Sequence, residues 1–250
     1  MSLRKLVAGN WKMNGLRISL GELAPIGRAA TAAKRIDVAI CPPFTLVAQA
    51  AANADGIAIG GQDCHFATTG AYTGYISADM LTDAGASHVI VGHSERRSAN
   101  HETDADVRAK AEAAMEAGLV AILCIGETDK QRDAGRAGLA VASQLDGSLP
   151  RTATGDTLII AYEPRWAIGT GRTPSSGEIG EMHKLIRAKL IDILGTEGVR
   201  VRILYGGSVT SHNAAEFLSV PDVDGALVGG ASLTAAQFVP IIEAAENVSQ

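Results

Sequence analysis

The sequence predicts an α/β fold, a (β/α)8 barrel of eight parallel strands that forms a single domain over residues 1–250. Three observations carry this. Eight short β-rich runs recur along the chain with helical stretches between them, and strands that alternate with helices pair in parallel. Most of the runs are continuously apolar rather than alternating, as strands covered on both faces must be. No GxGxxG loop follows the first run, where AGNWKMNG (Ala8 to Gly15) stands instead, so a competing open doubly wound sheet lacks its nucleotide-binding signature.

In chain order, the first strand covers Leu6 to Trp11, the second Val38 to Cys41, the third Ile57 to Gly61 and the fourth His88 to Gly92. Asp104 to Gly118 then places apolar residues at helical spacing, and a fifth strand follows over Val120 to Cys124. The sixth strand is Leu158 to Tyr162, followed by a helix from Ser176 to Leu194. The seventh and eighth strands are Val201 to Tyr205 and Ala226 to Gly229, and a last helix covers Thr234 to Ala245. Each of these helices has a Ser, Thr or Asp at or near its start, able to accept from the free amides of a first turn. No linker or low-complexity tract divides the chain.

Composition narrows the partners. Hydrophobic residues make up 46% of the chain, aromatics only 4%, and there are 28 glycines, which suits close-packed helices on a sheet with many tight turns. A net charge of -5 without a long Lys/Arg run argues against nucleic acid or an anionic membrane and leaves small molecules. MSLRKLVAGNWKM has no signal-peptide pattern and no apolar run is long enough to span a bilayer, so a cytoplasmic location is expected. Cys41, Cys64 and Cys124 show no CxxC or Cys/His ligand spacing, so neither disulfides nor a metal site is expected. Cys41 and Cys124, inside apolar strands, are expected to pack as small hydrophobes.

In such a barrel the strand C-termini open on one face, so residues distant in sequence meet there. Glu163 follows the sixth apolar strand directly, where an ionised carboxylate is held against a desolvation penalty, and Pro164 and a glycine-bearing stretch come after it (AYEPRWAIGTGRT, Ala161 to Thr173). That pattern fits a catalytic base beneath a lid; taken alone, the same Glu could equally cap a helix and the loop merely turn. Other strands end in Asn10 and Lys12, in His93, Ser94 and Glu95, in Gly206, Gly207 and Ser208, and in Gly229 and Gly230. Singly, Lys12 reads as a rim charge, His93 as a structural histidine and the glycine pairs as turns. Jointly they put a carboxylate, an imidazole, an amine and two glycine turns on one face.

The glycine turns precede helices expected near Ser211 and Ser232, and clustered backbone N–H groups at such places bind anions, phosphate above all. His93 lies ahead of a short helical turn, whose positive end disfavours protonation, so a neutral imidazole is expected. Lys12 would stabilise negative charge developing on a bound oxygen. The set fits proton transfer beside a carbonyl: Glu163 takes a carbon-bound proton while His93, Lys12 and Asn10 hold the enediolate. No metal and no organic cofactor is called for.

GNWKMN (Gly9 to Asn14), CPPF (Cys41 to Phe44), VGHSERR (Val91 to Arg97), AYEP with WAIGTG (Ala161 to Pro164, Trp166 to Gly171), YGGSV (Tyr205 to Val209) and LVGGASL (Leu227 to Leu233) occur in order across nearly the whole length. In these motifs the chain closely resembles the triosephosphate isomerases, TIM-barrel enzymes of glycolysis and gluconeogenesis that interconvert dihydroxyacetone phosphate and D-glyceraldehyde 3-phosphate. The resemblance implies Glu163 as base, His93 as electrophile, Lys12 and Asn10 as substrate and transition-state contacts, and Glu95 as a supporting or proton-relaying carboxylate. It implies phosphate binding by Gly169, Ser208, Gly229 and Gly230. Pro164, Arg165, Trp166, Ala167, Ile168, Thr170 and Gly171 would belong to the lid, which shuts water away from an enediolate prone to expel its phosphate, and Tyr205 and Ser208 would bond the closed lid. A homodimer joined through Asp63 to Tyr75 is implied as well. Two other readings are a phosphate-binding barrel without catalysis and a different phosphate-substrate barrel enzyme, the latter opposed by WAIGTG.

Two positions depart from the family pattern. Tyr75, in GAYTGYIS, stands where the family usually has Glu. The family's loop around Thr73 crosses into the partner subunit, so a basic neighbour such as Arg96 is expected to lack its counter-charge, which leaves the strength of the dimer open. Arg165 stands in the lid's first hinge where an aliphatic residue is usual, and either projects into solvent or shifts the lid's open–closed balance.

Overall fold

The computed structural model describes residues 3–167 and 173–249. Its strands are β1 (Lys5–Asn10), β2 (Ile36–Cys41), β3 (Ala58–Gly61), β4 (His88–Val91), β5 (Val120–Ile125), β6 (Leu158–Tyr162), β7 (Arg202–Tyr205) and β8 (Gly225–Val228). They pair in parallel in chain order, and β8 returns to β1 through pairs such as Leu6 with Gly225 and Gly9 with Val228, closing the barrel. Around it run α1 (Leu23–Ala32), α2 (Val47–Ala51), α3 (Ala78–Asp83), α4 (Ser94–Ala99), α5 (Asp104–Glu116), α6 (Asp129–Asp133), α7 (Ala137–Ser148), α8 (Ser176–Leu194), α9 (Ala214–Leu218) and α10 (Ala235–Val248).

All eight expected strands are present, with small differences at their ends. β1 and β2 begin earlier than their apolar runs because the ladder already pairs Lys5 with Ile36 and Leu6 with Asp37. Asp37 holds the charged floor together, accepting from Arg202 at 2.9 Å and Arg4 at 2.5 Å. The helix starts follow their caps. Thr103 and Ser175 each accept from the amide three residues on, at 3.1 and 3.3 Å, and the side chains of Asp106 and Glu178 return the bond to complete capping boxes. α10 runs past the expected Ala245 to Val248, its inner face still buried through Ile241, Ile242 and Ala245.

Alternation along each strand sorts its side chains between two layers. Leu6, Ala8, Ala39, Ile90, Ile159 and Ala161 belong to the core inside the barrel, while Val7, Val38, Ile40, Val89 and Ile160 pack outward against the helices. Cys41 and Cys124 are fully buried in the inner layer, and Cys64 is buried outside it. Burial pushes the Cys41 and Cys64 thiols up to about 12 and Cys124 well above its ordinary value, so all three pack as protonated thiols.

His183, on α8, is fully buried. Its Nδ1 lies 2.9 Å from the Asp222 carbonyl, which can only accept, so the ring proton sits on Nδ1. Nε2 has no hydrogen-bond partner among the described residues, and the ring meets Tyr162 edge-on. A second proton would leave a buried N–H unpaired, and burial lowers the pKa to about 4. The unfolded chain takes up this proton near pH 6.5 and the folded chain only near pH 4, so the unfolded state binds more protons in between and stability falls as pH drops through that window. One such site accounts for a loss on the order of 3 kcal/mol across it. Denaturant unfolding from pH 7 to pH 4 should therefore show a shallower loss of stability in His183→Gln than in the parent; equal slopes would refute the assignment.

Candidate active site

The last inward position of each strand is the first to meet the barrel mouth. β1 sends Leu6 and Ala8 inward, so Asn10 is next in register; β6 sends Ile159 and Ala161 inward, so Glu163 is next. Asn10, Lys12, His93 and Glu163 line one cavity of 320 Å³. Ser208, Gly229 and Gly230 line the same cavity. Glu95 does not: its side chain is 57% exposed at the rim, where Oε1 accepts from Lys12 Nζ at 2.6 Å.

Lys12 is carried into the mouth on a left-handed backbone with φ 54°, a conformation that strains a residue with a side chain. Two contacts hold it there. Its amide donates to Asn10 Oδ1 at 2.9 Å, and its carbonyl accepts from Gln62 Nε2 at 2.9 Å. Gln62 also donates to the Cys41 carbonyl, so one amide side chain fastens the loop after β1 to the end of β2.

His93 caps α4. Its Nδ1 accepts from the Glu95 amide at 3.3 Å, so the proton it carries sits on Nε2, 2.8 Å from Glu163 Oε1. The other carboxylate oxygen of Glu163 accepts from the Ser94 amide at 2.9 Å. Glu163 is only 2% exposed. Burial pushes its pKa up, but His93, the Ser94 amide and Lys12 outweigh it, and the group stays below its ordinary value and ionised. Burial pushes His93 down, yet the facing Glu163 carboxylate outweighs burial and draws its pKa up. The helix start, expected from the sequence to disfavour protonation of His93, is thus not the dominant influence in this pose; the Glu163 carboxylate is.

The loops after β7 and β8 leave room for an anion. A Cβ on Gly206 would lie 2.9 Å from Glu163 Cγ, and one on Gly207 would lie 2.0 Å from Tyr205 Oη, whereas one on Gly230 would meet nothing within 4 Å. The helix expected near Ser211 begins later, at Ala214, because the Asn213 side chain ties down Thr210 N at 2.8 Å and Ser208 O at 3.0 Å in a turn. The helix start expected near Ser232 is a 3-10 turn over Gly230–Ser232, with α10 following.

Of the lid residues, Ile168, Gly169, Thr170 and Gly171 lie outside the described residues, and with them one expected phosphate contact. Pro164 to Ala167 are described. Ser208 Oγ donates to the Ala167 carbonyl at 3.0 Å. Trp166 Nε1 donates to Glu127 Oε1 at 2.8 Å, the Tyr162 hydroxyl reaches the same oxygen at 3.1 Å, and the Arg132 guanidinium stacks 4.2 Å from the Trp166 ring. Glu127, fully buried, went unnoticed in the sequence although it follows β5 and Gly126 much as Glu163 follows β6.

Two expectations are corrected. Arg165 does not project into solvent: it is half-buried and its guanidinium donates to the Ser98 hydroxyl on α4. Arg96 does not lack a counter-charge beside Tyr75, because it pairs with Asp63 at 2.8 Å and Glu102 at 2.7 Å, which Lys110 also bridges.

The family model for triosephosphate isomerase matches residues 5–245. A triosephosphate isomerase of Afipia carboxidovorans is 60% identical over 245 residues, covering 97% of this chain and 98% of the relative. Another, of Dinoroseobacter shibae, is 60% identical over 96% of this chain and 98% of its own length. A crystal structure of triosephosphate isomerase from Bartonella henselae superposes with a TM-score of 0.91 at 48% identity, covering 97% of this chain and 99% of that one.

The glycine geometry separates packing from binding. Gly207→Ala should lower stability by about 1–3 kcal/mol, since its Cβ collides with the buried Tyr205 ring. Gly230→Ala should leave the melting temperature within a degree or two while weakening inorganic phosphate several-fold by calorimetry, since its methyl group extends into free space beside the cavity. Unchanged phosphate affinity in Gly230→Ala would place the anion elsewhere.

Proposed function

The chain belongs to the triosephosphate isomerase family, and on that footing we propose that Glu163, His93, Lys12 and Asn10 carry out its reaction, with Glu95 supporting Lys12 from the rim. The reaction interconverts dihydroxyacetone phosphate and D-glyceraldehyde 3-phosphate, an aldose–ketose isomerisation of glycolysis. The observation that carries the residue assignment is convergence: four side chains from three separate strand ends and two glycine turns share one 320 Å³ cavity.

The chemistry is a proton shift between two carbons and a matching shift between their oxygens. Glu163 leaves His93 and the Ser94 amide, takes a proton from the carbon beside the substrate carbonyl, and later returns one to the former carbonyl carbon; the electron pair released forms the enediolate. His93 gives its Nε2 proton to the former carbonyl oxygen and takes back the proton of the neighbouring hydroxyl, which becomes the new carbonyl, while Lys12 Nζ and the Asn10 amide stabilise the negative charge between the two steps. Once the carboxylate has left, the largest influence that raises the His93 pKa is gone; the exposed Glu95 carboxylate still draws it up, while burial, Lys12 and the Glu95 amide at Nδ1 favour a neutral donor. Ser208, Gly229 and Gly230 take the phosphate end, and by resemblance Gly169 completes that set and Pro164 to Gly171 serve as the lid. No step needs a metal or organic cofactor.

We also propose a cytoplasmic homodimer. Asp63 to Tyr75 presents Phe66, Tyr72 and Tyr75, all substantially exposed and respectively stacked, tilted and edge-on around the His65 ring, a surface suited to a second copy. Among the described residues no helix is long and apolar enough to cross a membrane.

A coupled assay with D-glyceraldehyde 3-phosphate should show turnover that falls by about a hundredfold to ten-thousandfold in Glu163→Gln, which keeps the shape of the side chain and loses the base. Turnover in the variant equal to the parent's would remove Glu163 from its role. Light scattering at micromolar concentration should return the mass of two chains; a monomer would contradict the dimer.

A further inference from the structure

Ser94, through Ser98, links Glu163 to Arg165 in the first hinge of the expected lid. Its amide holds Glu163 Oε2 at 2.9 Å, and its carbonyl accepts from the Ser98 hydroxyl at 2.8 Å one turn along α4. The oxygen of that hydroxyl accepts from the guanidinium of Arg165, two residues beyond Glu163 in the chain. Arg165 is also fixed by its backbone, its amide donating to the Glu127 carbonyl at 3.2 Å. The carboxylate and the hinge that follows it are therefore fastened to one short helix at two points.

In this pose, withdrawn from substrate, both oxygens of Glu163 are held, one by Ser94 and one by His93, so abstraction of a proton from carbon requires the carboxylate to release both and take an engaged pose facing the substrate. Whatever stabilises this pose and not the engaged one has to be undone at each turnover.

We propose that Arg165 is a positioning residue: through its hydrogen bond to Ser98 it favours the withdrawn pose of Glu163 and sets how readily the base is presented to substrate. The inference rests on Glu163 being the base. A guanidinium–hydroxyl bond is charge-assisted, and its loss tips a two-pose equilibrium toward the engaged pose, which lowers the apparent KM because a larger fraction of the free protein is competent to bind productively.

The experiment is steady-state kinetics with D-glyceraldehyde 3-phosphate on the full chain and on Arg165→Val, Ser98→Ala, their combination and Arg165→Lys. Arg165→Val and Ser98→Ala should each lower KM by roughly threefold to tenfold without raising kcat, the range of a charge-assisted hydrogen bond from half-buried Arg165 to the exposed Ser98 hydroxyl. The double variant should go no lower than either single one, since both remove the same bond. Arg165→Lys, which keeps a cationic donor, should bring KM back to within about twofold of the parent. A KM unchanged or raised in both single variants, or effects that add in the double variant, overturns the inference. Absence of turnover in the parent overturns instead the assignment of Glu163 on which the inference stands.

Discussion

Closure of eight parallel strands leaves each side chain two destinations, the barrel interior or the layer beneath the helices, and everything at the mouth depends on that division. The interior admits small and apolar groups such as Ala8, Ala39 and Ala161. A polar side chain can take an inward position only where the strands run out and solvent begins. Asn10 and Glu163 hold those terminal positions on β1 and β6, and His93 arrives from the turn after β4. The same closure that excludes water from the core thus gathers groups that would otherwise lie far apart along the chain.

A carboxylate placed there is poorly hydrated, and its surroundings carry the compensation. Glu163 is held ionised by an imidazole N–H, a helix-start amide and a lysine, which replace the water it has lost. The arrangement is reciprocal, since the carboxylate in turn governs the imidazole. Two groups whose proton affinities depend on one contact change character together when the contact breaks, so departure of the carboxylate readies the imidazole to donate. On the proposed assignment, an acidic chain holds an anion beside this carboxylate through backbone-lined glycine turns and a single lysine rather than through a basic surface.

Much of this was legible in the sequence because the relevant signals are local. Continuous apolar runs marked strands buried on both faces, and capping residues such as Thr103 and Ser175 marked helix starts. A polar residue just after an apolar run marked Asn10, His93 and Glu163, and the same rule applied after β5 reaches Glu127. What stayed hidden depends on pairings between loops. Arg165 meets Ser98 across 67 residues, and Arg96 finds Asp63 and Glu102 rather than a residue near Tyr75. Gln62 has no periodic or motif signal at all; its clamp on the Lys12 carbonyl exists only because β2 ends beside β1. The start of α9 moved because one asparagine side chain outcompetes the helix for the turn before it.

The left-handed Lys12 has a bearing on how this chain can change over generations. Glycine or asparagine would sit more comfortably on that stretch of main chain, and neither brings an amine to the cavity. On the proposed role of Lys12, selection for heat tolerance and selection for turnover pull this position in opposite directions. A lineage pressed only by temperature would drift away from lysine here, and only demand for the reaction keeps it in place.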